Sequence, residues 1–197
     1  MEIEKFGNLK SIGKHKKKTQ IILVHTSRNH QDYLKSLIYR FNGKNPKLPH
    51  YLINREGKTY QILSNNEYSK YFSDENLNKY SIIICLENLG WLEKEPLSNQ
   101  YVNWIGDIYN GVVYEKKWRD YFFWQPYTEE QINSAVELTK KIFEGTSIKK
   151  SVIGHNTKIN GIEKFEGVVT RSNYDSESTD VNPSFDFEIF LKKIENE

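Results

Sequence analysis

Short, continuous apolar runs are the sequence feature that most restricts the fold of this chain. Ile21-Ile22-Leu23-Val24 ends at His25, and Ile82-Ile83-Ile84-Cys85-Leu86 ends at Glu87. Runs of this length that are rich in β-branched residues are typical of strands buried on both faces of a sheet. The sequence therefore predicts an α/β fold whose central strands end in polar side chains.

Other segments fill in this fold. Strands are predicted near 20–26, 50–54, 58–63, 80–87 and 151–155, with Glu56-Gly57 as a hairpin turn. Apolar residues at helical spacing predict a first helix over about 31–41, which Gly43 ends. The capping box Thr128-Glu129-Glu130-Gln131 predicts a helix that runs to about Phe143, and Pro183 is predicted to open the last helix.

Length and charge restrict the class of protein. A chain of 197 residues fits a single domain. With 28 basic and 26 acidic side chains the net charge is only +2, so the sequence does not predict nucleic-acid binding. The lone cysteine, Cys85, cannot form an intramolecular disulfide, and it is predicted to be a buried apolar residue.

The first residues carry several lysines but no apolar segment of the kind found in signal peptides, and no stretch is long enough to span a bilayer. We therefore expect synthesis in the cytoplasm, no membrane insertion, and a monomer or a component of a larger particle.

Two histidines and an aspartate form a candidate metal site. His25 and His155 each close an apolar run, and Thr179-Asp180 follows downstream. Imidazole and carboxylate are good zinc ligands, and a catalytic zinc site needs three protein ligands and one open position. The alternative is that each histidine is a hydrogen-bonded structural residue at a strand end.

Six segments match a known family in order. They are the His25 strand; Pro49-His50-Tyr51-Leu52-Ile53-Asn54-Arg55-Glu56-Gly57-Lys58-Thr59-Tyr60-Gln61-Ile62; Asn78 with Ser81-Ile82-Ile83-Ile84-Cys85-Leu86-Glu87-Asn88; Tyr127-Thr128-Glu129-Glu130-Gln131; Gly154-His155; and Thr179-Asp180-Val181-Asn182-Pro183-Ser184-Phe185-Asp186. This order resembles the zinc-dependent N-acetylmuramoyl-L-alanine amidases, a family that includes peptidoglycan recognition proteins and amidase-type phage lysozymes. The resemblance covers roughly residues 20–192.

The resemblance implies an architecture and a reaction. The fold would be a single domain with a mixed central β-sheet flanked by helices and a Zn²⁺ site at one end of the sheet. Residues 1–19 would be an extension, and residues 20–197 a catalytic domain with insertions at 89–126 and 157–178. By resemblance His25, His155 and Asp180 hold the zinc, and the reaction is hydrolysis of the amide bond between N-acetylmuramic acid and L-alanine in bacterial peptidoglycan.

The residues for proton transfer depart from the family pattern. Many members have a glutamate where this chain has Cys85, and others have a tyrosine where it has Pro49. Residues two apart along a strand face the same side, so Glu87 and Tyr51 are the predicted replacements. Glu87 is the preferred general base, although it fits a solvated carboxylate at a strand end nearly as well. Tyr51 is the weaker candidate, and its alternative role is a packed aromatic residue with a satisfied hydroxyl.

Further site residues follow from the same resemblance. Ser178 lies two positions before Asp180, where the family places a lysine or hydroxyl that stabilises the oxyanion. Arg171 is the nearest cationic candidate for a substrate contact, and a structural clamp is its alternative role. Asn88, beside Glu87, is also a predicted substrate contact.

Segment 89–126 contains all four tryptophans, including Trp91 and Trp104. Aromatic faces there are candidates to line a substrate groove. The alternative, slightly favoured for most of them, is a subsidiary hydrophobic cluster that folds a long loop onto the body of the domain.

Two functions are consistent with these residues. The first is an active zinc amidase, for instance a phage lysin or a virion-associated wall hydrolase that reaches the wall after lysis, virion delivery or secretion. The alternative is a catalytically weak or inactive peptidoglycan recognition domain. The altered base positions and Ser178 favour the recognition domain, and the three predicted ligands favour the enzyme.

Overall fold

A six-stranded mixed sheet forms the centre of the computed structural model, which describes residues 2–7 and 9–196. The described strands are β1 (Ile3–Lys5), β2 (Gly13–Lys14), β3 (Gln20–His25), β4 (Tyr51–Ile53), β5 (Thr59–Gln61), β6 (Glu67–Tyr68), β7 (Ser81–Leu86), β8 (Trp91–Lys94), β9 (Tyr101–Val102), β10 (Ile108–Tyr109), β11 (Tyr114–Trp118), β12 (Tyr121–Trp124) and β13 (Gly167–Thr170). The helices are α1 (His30–Tyr39), α2 (Glu75–Tyr80), α3 (Glu129–Gly145), α4 (Arg171–Tyr174) and α5 (Phe187–Glu195), with a 3₁₀ turn at Ile162–Lys164.

The order of the central sheet is β1-β5-β4-β7-β3-β13. β4, β7, β3 and β13 are mutually parallel, and β4 pairs with β5 in antiparallel fashion across the turn at Gly57, whose φ is 79°. Parallel strands end at one edge, so the residues that follow β3, β4, β7 and β13 are brought together there. The predicted α/β fold with a mixed, helix-flanked sheet is confirmed.

Alternate side chains of each central strand enter two hydrophobic clusters. Ile21 and Leu23 of β3 pack with α3 and α5 on one face, whereas Ile22 and Val24 pack with α1 on the other. This two-sided burial explains the continuous apolar runs, because neither face of the sheet contacts water.

The helix starts follow capping chemistry. The Thr128 hydroxyl accepts a hydrogen bond from the Gln131 backbone N–H, and the Gln131 side chain accepts one from the Thr128 N–H, as predicted for a capping box. The prediction that Pro183 opens the last helix is wrong. Asp186 caps α5 instead, by accepting from the Ile189 N–H at 2.8 Å.

The strand predicted at 151–155 is also wrong. Val152 makes a single bridge to Val168, and the strand beside β3 is β13. Val168 and Val169 are buried in the sheet, while Gly154 and His155 are exposed in a loop. The run Val152-Ile153 is too short, and too soon interrupted by Gly154, to add a full strand. Segment 157–178, expected as an insertion, therefore supplies a strand of the central sheet.

The residues expected as an N-terminal extension also join the fold. β1 lies at the edge of the central sheet beside β5, and β2 pairs with β6. No helix among the described residues is long and apolar enough to cross a membrane.

Segment 89–126 forms a second, antiparallel sheet in the order β10-β9-β8-β12-β11. Trp124 is fully buried and packs at 5.4 Å from Trp118, and Trp91 stacks on Tyr121 at 4.6 Å. Trp91, Trp118 and Trp124 thus help to hold a small sheet together, which agrees with the subsidiary cluster predicted for most of these aromatic residues and adds strands that the sequence interpretation lacked.

Candidate active site

The carboxyl ends of the parallel strands place polar residues at one edge of the sheet. His25 ends β3, Glu87 follows β7, and Arg171 follows β13. In open α/β sheets this edge is where ligands commonly bind.

The central contact at this edge joins His25 to Asp180. Their side chains are almost fully buried, and the His25 Nε2 lies 3.0 Å from the Asp180 Oδ1. The other oxygen, Oδ2, lies 3.6 Å from the Arg171 Nη1. Burial raises the pKa of Asp180, but the nearby His25 and Arg171 outweigh it and hold that pKa below its usual value. Asp180 is therefore a carboxylate that faces an imidazole in a mostly dry pocket.

The other nitrogen of His25 faces Tyr127. The His25 Nδ1 lies 3.4 Å from the Tyr127 hydroxyl, and the Tyr127 ring packs at 5.5 Å against Phe185. Burial is the main reason that the pKa of Tyr127 is raised, so its hydroxyl stays protonated. A partner at Nδ1 turns the Nε2 of His25 toward Asp180.

His155, the second predicted ligand, lies apart from this pair. His155 is exposed, and its Nδ1 accepts a hydrogen bond from the Thr157 N–H at 3.2 Å. In the described part of the chain, potential ligand atoms of His30, Glu56 and Glu87 lie within 4.8 Å of one another. The corresponding atoms of His25, His155 and Asp180 do not form such a group. The role of His155 as a ligand stays a prediction.

The separation of the His25 and Asp180 side chains is close to that of two ligands on one zinc ion. Two ligand atoms on one tetrahedral zinc lie about 3.3 Å apart, given bonds of about 2.0–2.1 Å. The His25 and Asp180 atoms, at 3.0 Å, are close to that separation and have the right chemistry. Two of the three predicted ligands therefore fit a zinc ion.

Glu87 is engaged in contacts of its own. Its Oε2 accepts from the His30 Nδ1 at 2.8 Å and from the Arg55 N–H at 3.0 Å, and its Oε1 accepts from the His30 N–H at 3.0 Å. These contacts tie the end of β7 to the start of α1 and to the loop after β4. The observed contacts describe a tether, and the predicted role as general base stays a prediction.

Cys85 lies where the family often has a glutamate. It is fully buried, and it packs in the same cluster as Tyr33 and Tyr71. Burial is the main reason that its pKa is raised well above the usual value. A neutral thiol in an aromatic surrounding supplies no carboxylate chemistry at this position.

The remaining predicted site residues are engaged in structural contacts. Tyr51 is buried, and its hydroxyl donates to the Asn65 Oδ1 at 2.7 Å. The Ser178 hydroxyl accepts from the Asp180 N–H at 3.3 Å, which helps to hold that loop. Asn88 is fully buried and donates to the Gln125 carbonyl at 3.0 Å, while its Oδ1 accepts from Gly90 and Asn182. Its amide organises the loops beneath the site.

Trp104 connects the second sheet to the site. Its Nε1 donates to the Ser27 carbonyl at 2.6 Å, and the Arg28 guanidinium lies 5.9 Å from the centre of its ring. Trp91 and Trp104 line a cavity of about 340 Å³ that also touches His25. The structure therefore brings these two predicted substrate contacts to the same edge as the His25–Asp180 pair.

A second cavity opens on the other side of His25. It has a volume of about 350 Å³, and its lining includes Tyr33, Tyr71 and Arg171. The sequence analysis missed Tyr33 and Tyr71. A single tyrosine in a helix or a loop looks the same in sequence whether it lines a site or packs in the core. Tyr127 was also missed as the partner of His25, although Tyr127 opens a matching segment.

Comparisons with known proteins agree with this fold. A family model described as N-acetylmuramoyl-L-alanine amidase matches residues 15–167. Among curated proteins, no sequence match was found.

Several solved structures share the fold. The endolysin amidase LysCS from Clostridium intestinale URNW is 11% identical, with a TM-score of 0.58 and coverage of 98% of this chain and 95% of that one. AmiD from E. coli, in complex with anhydro-N-acetylmuramic acid-L-Ala-D-gamma-Glu-L-Lys, is 18% identical, with a TM-score of 0.55 over 94% of this chain and 60% of that one. Bumblebee PGRP-SA is 11% identical, with a TM-score of 0.55 over 95% of this chain and 93% of that one.

Proposed function

Because this chain belongs to the N-acetylmuramoyl-L-alanine amidase family, we propose that it is a zinc-dependent peptidoglycan hydrolase. Its reaction would be hydrolysis of the amide between the lactyl group of N-acetylmuramic acid and the L-alanine of the stem peptide. A phage lysin or virion-associated wall hydrolase is the setting we propose, since an endolysin amidase shares the fold.

The His25–Asp180 pair is the observation that carries this proposal. A buried imidazole and carboxylate meet at 3.0 Å at the carboxyl edge of the sheet, between two cavities. We propose these two side chains and His155 as the zinc ligands. A bound zinc would polarise the substrate carbonyl and lower the pKa of a bound water.

The chain's own residues would position this chemistry. Tyr127 holds the His25 ring from the Nδ1 side, and Ser178 holds the backbone of Asp180. Arg171, whose Nη1 lies 3.6 Å from the Asp180 Oδ2, places a positive charge beside the site where an oxyanion would develop. A loop movement that brings His155 to the pair would complete the ligand set.

The proposal is tested by measuring zinc content together with turnover of a synthetic N-acetylmuramoyl-L-alanyl peptide. We expect about one zinc per chain and release of a peptide with a free L-alanine amine. His25→Ala and His155→Ala should each lose zinc and turnover, whereas His15→Ala, outside the predicted ligand set and packed against Tyr80, should keep both. Turnover by a preparation that has no affinity for zinc would overturn the metal assignment.

A second candidate is a recognition domain that binds peptidoglycan without cleaving it. The neutral, buried Cys85 at the position of the family's glutamate favours it, as does the separation of His155 from the His25–Asp180 pair. In that case the synthetic peptide would bind and stay intact, with or without zinc.

A further inference from the structure

The cavity beside His25 that touches Arg171 has an unusual charge, and we call it the cationic groove. Its charged lining residues are Arg28, Arg40, Lys47 and Arg171, with His25 at one end. In the part of the chain that the structure describes, no aspartate or glutamate lines it. The whole chain has nearly balanced charge, with 28 basic and 26 acidic side chains, so this groove departs from the average surface.

The groove cations are available to a ligand. Within the described residues, Arg28, Arg40 and Lys47 take part in none of the observed ion pairs, and Arg171 has only the 3.6 Å contact with Asp180. The Arg28 guanidinium lies over the Trp104 ring, and the Arg40 guanidinium lies 5.7 Å from the centre of the Phe41 ring. The capping hydrogen bond of Arg40 at the end of α1 comes from its backbone N–H, which donates to the Ser36 carbonyl. Aromatic contacts leave the donors of a guanidinium free to bind an anion.

The positive lining continues away from the site. A neighbouring cavity of about 680 Å³ shares Leu37, Asn45 and Pro46 with the groove. Its charged lining residues are Lys10, Lys44 and Lys70, and again none of the described lining residues is acidic. Beyond the Asp180 carboxylate beside His25, the charged residues that line these two cavities in the described part of the chain are all basic.

We propose that the cationic groove binds the stem peptide through its free carboxylates, so that the protein selects stem peptides with an unmodified D-glutamate over those in which this carboxylate is an amide. This inference rests on the proposed amidase function. The ligand of AmiD shows the chemistry, because a γ-linked D-glutamate keeps its α-carboxylate free. That carboxylate lies within two residues of the bond to L-alanine, or roughly 7 Å along the chain.

Proximity to His25 favours a peptide carboxylate over the phosphate of another wall polymer. His25 lines one end of the groove. A substrate whose amide bond lies at the His25–Asp180 pair would therefore extend its own stem peptide into the groove. A guanidinium pairs with a carboxylate through two parallel hydrogen bonds and makes poorer use of a neutral amide, which presents one acceptor and adds unwanted donors.

The test uses two synthetic N-acetylmuramoyl peptides that differ only in a carboxylate or a carboxamide at the second residue. We expect kcat/KM of the zinc-loaded protein to be about tenfold higher for the carboxylate. Added salt should reduce this preference, since exposed charges are screened. The double variant Arg40→Gln/Lys47→Gln should bring it toward unity, whereas Lys192→Gln, on the exposed face of α5, should retain it.

Binding of both peptides is measured in parallel by calorimetry, which separates this inference from the proposed function. Selective binding of the carboxylate without hydrolysis would support the groove and overturn the amidase. Equal kcat/KM for the two peptides, or a preference that the double variant keeps, would overturn the groove and leave the amidase standing. Binding of poly(glycerol phosphate) in competition with both peptides, without discrimination between them, would assign the cations to wall phosphates and also overturn the inference.

Discussion

Glu87 makes hydrogen bonds to two other segments that its position in the sequence does not reveal. It lies at the end of a strand beside the site, which suggested a general base. In the structure both carboxylate oxygens accept hydrogen bonds, from His30 and from the Arg55 backbone. A side chain so engaged stabilises the junction of three segments.

We therefore expect Glu87→Gln to lower the free energy of unfolding by about 1.5–3 kcal/mol, because an NH2 group replaces one acceptor oxygen and faces N–H donors of His30 or Arg55. Urea denaturation measures this loss, and Glu144→Gln on the exposed side of α3 is the matched control. If Glu87→Gln abolished turnover while stability and metal content stayed unchanged, Glu87 would act in proton transfer and the tether interpretation would fail.

His50 gives a pH dependence whose sign can be worked out. Burial, followed by the charge of Lys18, lowers the pKa of His50 from 6.5 to about 3. The folded chain keeps the imidazole neutral, with its Nε2 at 2.9 Å from the Glu67 carbonyl, whereas the unfolded chain binds a proton below about pH 6.5. The contribution of His50 is thus fully present above about pH 6.5 and is lost as the pH falls toward 3.

Between these values the loss approaches 1.4 kcal/mol per pH unit, an order-of-magnitude estimate. Urea unfolding at about pH 7 and about pH 5 should show a smaller difference in His50→Gln than in the natural chain. An equal difference in the two proteins would contradict the assignment to His50.

Residue-level prediction was limited by contacts between distant segments. The sequence placed His25 at a strand end, and this is observed because its run is buried on both sides. The contacts of Asp180 with His25 and Arg171 depend on a loop that returns to the sheet, and no local pattern encodes that return. Asn88 was predicted to contact substrate, but it is fully buried with a satisfied amide.

At the scale of elements, the turn between β4 and β5 depends on Gly57. Its φ is 79°, and an added Cβ would lie 2.7 Å from the Ser134 Oγ and 2.9 Å from the Glu130 carbonyl oxygen. We expect Gly57→Ala to destabilise the protein by about 1–3 kcal/mol, because both the backbone and the contact with α3 are strained.

Gly145 is the matched control for this prediction. It is the last residue of α3, and an added Cβ there would meet no atom within 4 Å. Gly145→Ala should be neutral or slightly stabilising, since alanine favours helix over glycine. Thermal unfolding compares the two variants, and an unchanged melting temperature for Gly57→Ala would contradict the account of this turn.

Elements with strong local signals were predicted well. β3, β7 and α3 follow from continuous apolar runs and a capping box. The strand at 151–155 was wrong because Val152-Ile153 resembles a strand locally, while Val168 and Val169 occupy the place beside β3. Pairing between strands far apart in the chain decides such a choice, and local propensity does not. The short strands of segment 89–126 were missed for the same reason.

At the scale of the whole molecule, the second sheet and the central sheet both contribute residues to the edge of the central sheet at which His25 lies. Trp104 holds the Ser27 backbone, and the loop after His25 places Arg28 over that ring. The site is thus bordered by an aromatic cavity on one side and by the cationic groove on the other. We propose that these two surfaces take the sugar and the anionic peptide of the substrate.

We propose that the His25–Asp180 pair supports hydrolysis of the bond between N-acetylmuramic acid and L-alanine. Mass spectrometry of peptidoglycan digested by the zinc-loaded protein tests it most directly, with Asp180→Asn and the exposed Asp120→Asn as matched variants. We predict new peptides with a free L-alanine amine from the natural chain and from Asp120→Asn, and at least a hundredfold fewer, as an order of magnitude, from Asp180→Asn. Intact muramoyl-alanine bonds after digestion by the natural chain, or cleavage that Asp180→Asn leaves undiminished, would contradict the account.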